Sequence, residues 1–245
     1  TNSMFGGMPG YLISVTYNSN LLNYVQNFFR SLFHPAAMII LYLICFYVLL
    51  ISLKIDRWLS VAGAFAYGFS SYMIIIIGAG HNTKAYALGF LMLVVAGVLV
   101  AYRYDRWKGA LILAIGLALE IMAGHPQITY YGFLALAIFG ITELVYAFRE
   151  KRLPDFLKTT GVLAVAVVIA LMVNFSYLYS NYKYSKETIR GKSELSSNSA
   201  NRTSGLDKDY VVQWSQGIGE TLTLLIPNYM GGSHSTNPGI NSESY

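Results

Sequence analysis

The sequence predicts an all-α fold, a polytopic transmembrane helical bundle, on three observations. Of its 245 residues, 55% are hydrophobic and only 12% charged, against roughly 25% charged in an average soluble domain. Mean hydropathy is +0.46. The apolar residues fall in blocks of about 16 to 23, the length that crosses a hydrocarbon core ~30 Å thick. This pattern excludes small soluble enzymes, disulfide-stapled secreted domains and disordered chains, and it argues against nucleic-acid binding. The net charge of +5 is the balance of 17 Lys and Arg against 12 Asp and Glu, so where the charges lie matters more than their sum.

In chain order, residues 1–34 read as an extracytoplasmic loop. Phe5-Gly6-Gly7-Met8-Pro9-Gly10 has the composition of a tight turn. Leu21, Leu22, Val25, Phe28, Phe29 and Leu32 recur at helical spacing, which predicts a helix lying in the membrane interface over 21–33. Six spans follow, at about 35–54, 58–79, 85–102, 109–124, 128–147 and 159–179. Each must satisfy its own backbone as a helix, because lipid supplies no hydrogen bonds. Residues 35–179 therefore form the transmembrane region, and 180–245 an extracytoplasmic loop or tail. The start at Thr1 and the polar end at Tyr245 suggest an internal piece of a longer protein. The single Cys45 lies in an apolar run and offers no disulfide.

Orientation follows from the bases in the short connections. Lys54 and Arg57 follow the first span, Arg103, Arg106 and Lys108 the third, and Arg149, Lys151, Arg152 and Lys158 the fifth. The opposite short turns carry only Lys84. By the positive-inside rule the base-rich end is cytoplasmic, and long translocated segments such as the tail are exempt. An internal similarity marks the other end: Ala79-Gly80-His81 and Ala123-Gly124-His125 lie 44 residues apart. Each opens a span running inward, so the repeat is parallel.

Walker, dinucleotide, HExxH and Cys-pair motifs are absent from the sequence. Candidate chemistry therefore rests on polar residues at the outer face. Glu120 lies inside the fourth span, about one turn below His125. An ionisable group there faces a cavity or a partner, so it reads as a proton acceptor or cation ligand, or equally as a paired structural carboxyl. Glu143 reads as a carboxyl balanced at the cytoplasmic end, near Arg149 and Lys151. His81, Asn82 and Lys84 form one outer turn and His125, Pro126 and Gln127 the other. With Arg202 and Lys208 of the tail they supply charge-assisted donors suited to a phosphate; the competing reading is that they cap helix ends in the headgroup layer. In the tail, residues 193–205 are small and polar, and Asp207, Lys208 and Trp214 then bring acid, base and aromatic together. That combination suits a sugar, which offers an apolar ring face and many hydroxyls; an ordinary loop with an interfacial Trp is the alternative.

Several stretches resemble a known family. Asn2-Ser3-Met4-Phe5-Gly6-Gly7-Met8-Pro9, Gly80-His81-Asn82-Thr83-Lys84, Gly124-His125-Pro126-Gln127-Ile128-Thr129-Tyr130-Tyr131, and Gly205-Leu206-Asp207 with Glu220-Thr221-Leu222-Thr223-Leu224-Leu225-Ile226-Pro227-Asn228 are similar, in that order, to the YfhO-type bacterial membrane proteins. That family is placed in the type C glycosyltransferase superfamily. The resemblance implies a bundle of that type in the bacterial cytoplasmic membrane, a polyprenyl-phosphate sugar as donor, and an envelope polymer or lipid as acceptor. It fixes no cofactor with certainty and allows for a divalent cation. It also implies an acidic residue in the first outer loop, yet residues 1–55 hold neither Asp nor Glu, so the main acid is expected before Thr1. Within the fragment Glu120 is the catalytic candidate, with His81, Lys84, His125, Gln127, Arg202, Asp207, Lys208 and Trp214 as substrate-binding candidates. A transporter or lipid flippase and a non-catalytic envelope scaffold are the competing functions.

Overall fold

A computed structural model describes residues 20–33, 35–185, 217–226 and 229. The described residues form helices α1 (Leu22–Ser31), α2 (Ala36–Ser52), α3 (Arg57–Gly68), α4 (Ser71–Gly78), α5 (Asn82–Arg103), α6 (Arg106–Met122), α7 (Pro126–Arg149), α8 (Leu153–Val173) and α9 (Phe175–Ser185), with a 3-10 turn at Gly219–Leu224 and no strand among them. Residues Asn18–Asn174 make one compact unit, while α9 and the 3-10 turn belong to another.

Among the described residues, three helices are able by length and composition to cross a membrane: α5, α7 and α8. A fourth candidate is the pair α3 and α4, which differ in direction by 45°. The continuous span expected over 58–79 is thus broken. Gly68, a weak helix former, closes α3, and Ser70 takes the extended geometry of an N-cap (φ −64°, ψ 150°) that starts α4. The last span ends earlier than 179. Asn174 interrupts it, donating its side-chain amide to the carbonyls of Ala118 at 3.0 Å and Ala170 at 3.1 Å. These donors belong to a buried side chain, so they need acceptors there.

α5 is the hub, packed on α2, α4, α6, α7 and α8. Sixty-one per cent of its apolar window is buried, against 11% for α7 and 22% for α8; α5 meets protein all round, whereas α7 and α8 present wide apolar faces outward. The antiparallel α5–α6 contact is made by glycines. A Cβ at Gly97 would stand 2.5 Å from the Leu113 backbone nitrogen, and one at Gly109 closer still to that of Ala101. Small residues let backbones approach where lipid removes the hydrophobic drive for association.

α1 forms close to where expected, but its apolar stripe divides. Phe29 is buried and meets Phe90 edge-on at 6.2 Å, and Leu22 and Leu32 join the same core. Leu21, Tyr24 and Phe28 point away from the bundle. Gln26, which the apolar pattern passed over, is also buried and reaches the Met122 carbonyl at the end of α6, at 3.5 Å.

The base-rich turns come together at one end. The Lys54 ammonium lies 4.4 Å from the centre of the Tyr104 ring, and Arg106 pairs with Asp155. Two of these turns share one device: Asp56 and Asp105 each cap the following helix, accepting from the backbone N–H groups of Trp58 and Leu59, and of Trp107 and Lys108. Those bonds hold the Asp105 carboxyl below its ordinary value. Both caps stand before Arg-Trp, and Trp58 and Trp107 are each 71% exposed, as in the aromatic belt of a membrane interface. Glu143 pairs with Arg103 of α5 at 3.7 Å rather than with the bases of its own helix.

Replacing Gly109 by Leu is expected to separate α5 from α6 and destabilise the bundle by about 3 kcal/mol or more. Unfolding in a titration of denaturing detergent checks this, and a variant as stable as the parent would refute the close contact.

Candidate functional site

The two Ala-Gly-His turns have the same backbone design. Ala79 and Ala123 end their helices in right-handed geometry, and Gly80 and Gly124 follow with φ of +74° and +80°. Glycine takes that region without a Cβ clash and releases the chain from the helix. His81 and His125 then stand at the N-caps of α5 and α7. Pro126 opens α7, where its missing N–H is no loss. The likeness is one of backbone more than surroundings: of the tyrosines that stand five residues after each histidine, Tyr86 is buried, whereas Tyr130 is 58% exposed.

Because α5 and α6 run antiparallel in contact, the start of α5 lies beside the end of α6 and the turn into α7. Lys84 and His81 are near enough for their charges to act on His125. His125 is partly enclosed, and its Nδ1 is buried without a hydrogen-bond partner. Burial lowers its basicity below the ordinary histidine value, a weaker pull from its own backbone opposes this, and Lys84 and His81 add to the lowering. A neutral imidazole keeps one N–H donor. The Lys84 ammonium is 5.4 Å from the centre of the Tyr72 ring. Neither α5 nor α7 has an acid in its first turn. Two helix N-termini, one ammonium and two imidazoles thus share one end of the bundle, an arrangement that favours an anion.

Beside this group lies a cavity of about 240 Å³. Leu32, Ala37 and Met38 form one wall, and Asn82, Thr83 and Tyr86 the other. It is apolar toward α1 and α2 and polar toward α5, as a site taking both a polar group and a hydrocarbon would be.

Glu120 sits beneath, with 0% of its surface exposed. The Thr129 hydroxyl is 3.0 Å from one carboxyl oxygen and 2.9 Å from the other. The pair ties the last turn of α6 to the first turn of α7, and so holds the His125 turn between them. Gln127 is exposed and donates to the Tyr131 hydroxyl at 3.0 Å. The structure therefore gathers His81, Lys84 and His125, places Glu120 under them, and turns Gln127 toward its own helix. Arg202, Asp207, Lys208 and Trp214 lie outside the described residues. No three His, Cys, Asp or Glu side chains among the described residues gather as metal ligands.

Sequence reasoning passed over Thr129, Gln26 and Asn174, each of which ties a neighbouring element to α6. Their only signal was a polar residue at the margin of an apolar run.

Glu120→Ala should destabilise the protein by about 2–4 kcal/mol, through the cavity and the lost Thr129 acceptor, whereas Glu120→Gln should lose less than about 1 kcal/mol. Equal unfolding points in denaturing detergent would contradict the hydrogen bond's role. For His125 the folded state binds its proton more weakly than the unfolded state. Stability from this residue is complete above its ordinary value of about 6.5 and declines as pH falls below it. Unfolding temperature measured from pH 7.5 to 5 should drop in the parent and drop less in His125→Asn.

Compared with models of known protein families, with curated proteins and with solved structures, the chain finds no match.

Proposed function

We propose that the protein is a membrane glycosyltransferase of type C, moving a sugar from a polyprenyl-phosphate donor to a cell-envelope polymer or lipid. In this reading it crosses the bacterial cytoplasmic membrane six times, as α2, the α3–α4 pair, α5, α6, α7 and α8, with the base-rich end cytoplasmic and transfer at the outer face. The observation that carries it is the convergence of Lys84, His81 and His125 at two helix N-termini, beside a cavity with one polar and one apolar wall.

The acceptor hydroxyl attacks the anomeric carbon, the bond from that carbon to the phosphate oxygen breaks, and the polyprenyl phosphate leaves with the electron pair. Lys84 and the imidazole donors stabilise the charge that grows on the phosphate. The acceptor proton passes to a carboxylate base. Glu120 is too enclosed to touch the sugar, so its role is to position the His125 turn through Thr129.

The double variant Lys84→Ala, His125→Ala should lower transfer from a labelled polyprenyl-phosphate sugar by at least about 10²-fold, in full-length protein that still inserts and folds. Unchanged transfer would remove this phosphate site.

A second reading, a transporter or lipid flippase, has one observation in its favour: the break at Phe69–Ser70 between α3 and α4, since broken helices line transport sites. It predicts lipid-linked sugar crossing the bilayer without any new covalent product.

A further inference from the structure

Between α6 and α8 a groove of about 900 Å³ runs along the outside of the bundle. Ala110 and Ala114 of α6 and Gly161 and Ala166 of α8 line it, and almost all of its surface is apolar. It is open one turn from Lys158, since a Cβ added at Gly161 would meet nothing within 4 Å. It follows α6 from Trp107 to Ala118 and α8 from Leu157 to Val173, ~16 Å and ~24 Å at the helical rise, so an acyl chain entering from its charged end would fill the part within one leaflet of a ~30 Å core.

Its two ends differ in chemistry. One closes on Leu22 and Val173; the other is bounded by Arg106, Trp107 and Lys158. At that charged end Arg106 spends part of its fork on Asp155, which is itself 60% exposed, and Lys158 makes no ion pair among the described residues. Asp105 nearby is occupied by the backbone of α6 and by Lys108 at 3.9 Å. Two bases against the single carboxylate of Asp155 leave the rim net positive. A guanidinium has five donors, so the Asp155 pair does not exhaust it. Basic pockets between transmembrane helices at the cytoplasmic side select anionic headgroups, and an exposed Trp beside them marks the headgroup level.

We infer that this groove holds one anionic phospholipid of the cytoplasmic leaflet, with an acyl chain between α6 and α8 and its phosphate at Lys158 and Arg106. A second copy of this chain is a poorer occupant, because an apolar helix laid in the groove would run into the charged rim. The site is separate from the proposed phosphate-sugar site and stands or falls without it.

The test is titration of the intact protein, in mild detergent, with phosphatidylglycerol or with phosphatidylcholine of the same acyl chains, read by native mass spectrometry and by thermal unfolding. Phosphatidylglycerol should bind at least about fivefold better than phosphatidylcholine. Lys158→Gln should remove most of that preference. Gly161→Leu should prevent retention of either lipid while leaving unfolding in lipid-free detergent unchanged, and the exposed Lys158 variant tests the charge should Gly161→Leu fail to fold. Equal binding of the two lipids, or phosphatidylglycerol binding unchanged in both variants, would overturn the inference. So would a change of oligomeric state in Gly161→Leu, which would make the groove a contact between copies, or displacement of phosphatidylglycerol by polyprenyl phosphate, which would make it part of a donor path.

Discussion

The close approach of α5 and α6 at Gly97 and Gly109 is the contact on which the rest of the bundle depends. In water two apolar helices are driven together by burial, but in lipid the tails are as apolar as the side chains, and only packing and polar contacts hold helices in register. Gly97 and Gly109 leave almost no space between the two backbones. That contact makes α5 and α6 a rigid antiparallel pair and brings the first turn of α5 to the last turn of α6. The neighbourhood of His81, Lys84, Glu120 and His125 is a consequence of that register.

Polar side chains finish what the glycines begin. Asn174 and Gln26 both donate to carbonyls of α6, one from the end of α8 and the other from α1, and Glu120 with Thr129 joins α6 to α7. Three elements are thus tied to the C-terminal half of one helix by amides and hydroxyls. An unmet donor or acceptor there is more expensive than in water, which accounts for each of these groups having a partner. The opposite end is built differently, from two Asp caps, exposed tryptophans and ion pairs at the surface. One end of the bundle is therefore a locked polar cluster and the other a solvated basic rim.

This asymmetry bears on how the molecule would work. An anion meeting α5 and α7 finds donors already in place, so little reorganisation accompanies charge development. The enclosed carboxylate below them is suited to holding geometry, because a group without exposed surface cannot meet a substrate. The basic rim has weaker, screened pairs and an adjoining apolar groove, which suits a lipid that must enter from the bilayer. The two ends thus use different charged groups by different means: burial and helix dipoles at one, exposure and number at the other.

Much of this was legible in the residues alone. Apolar block length set the helical class, and the bases at 54–57, 103–108 and 149–158 marked one end of the bundle, because both signals are local and additive along the chain. The Ala-Gly-His repeat was also readable, since glycine at a helix end carries its backbone geometry with it. Other features depended on contacts far apart in sequence. The break at Phe69–Ser70, the early stop at Asn174 and the burial of Gln26 replaced a continuous span, a longer span and a uniform apolar stripe. Hydropathy averages over a window and cannot register one polar side chain that finds a carbonyl on another helix. The role of Glu120 was undecided for the same reason: spacing put it one turn from His125, but only the packing of α7 on α6 supplied Thr129 and took away its access to solvent. Composition and periodicity determine which segments must be helices in an apolar medium; which of their polar groups meet is decided by the register of helix on helix, which a few glycines and amides set.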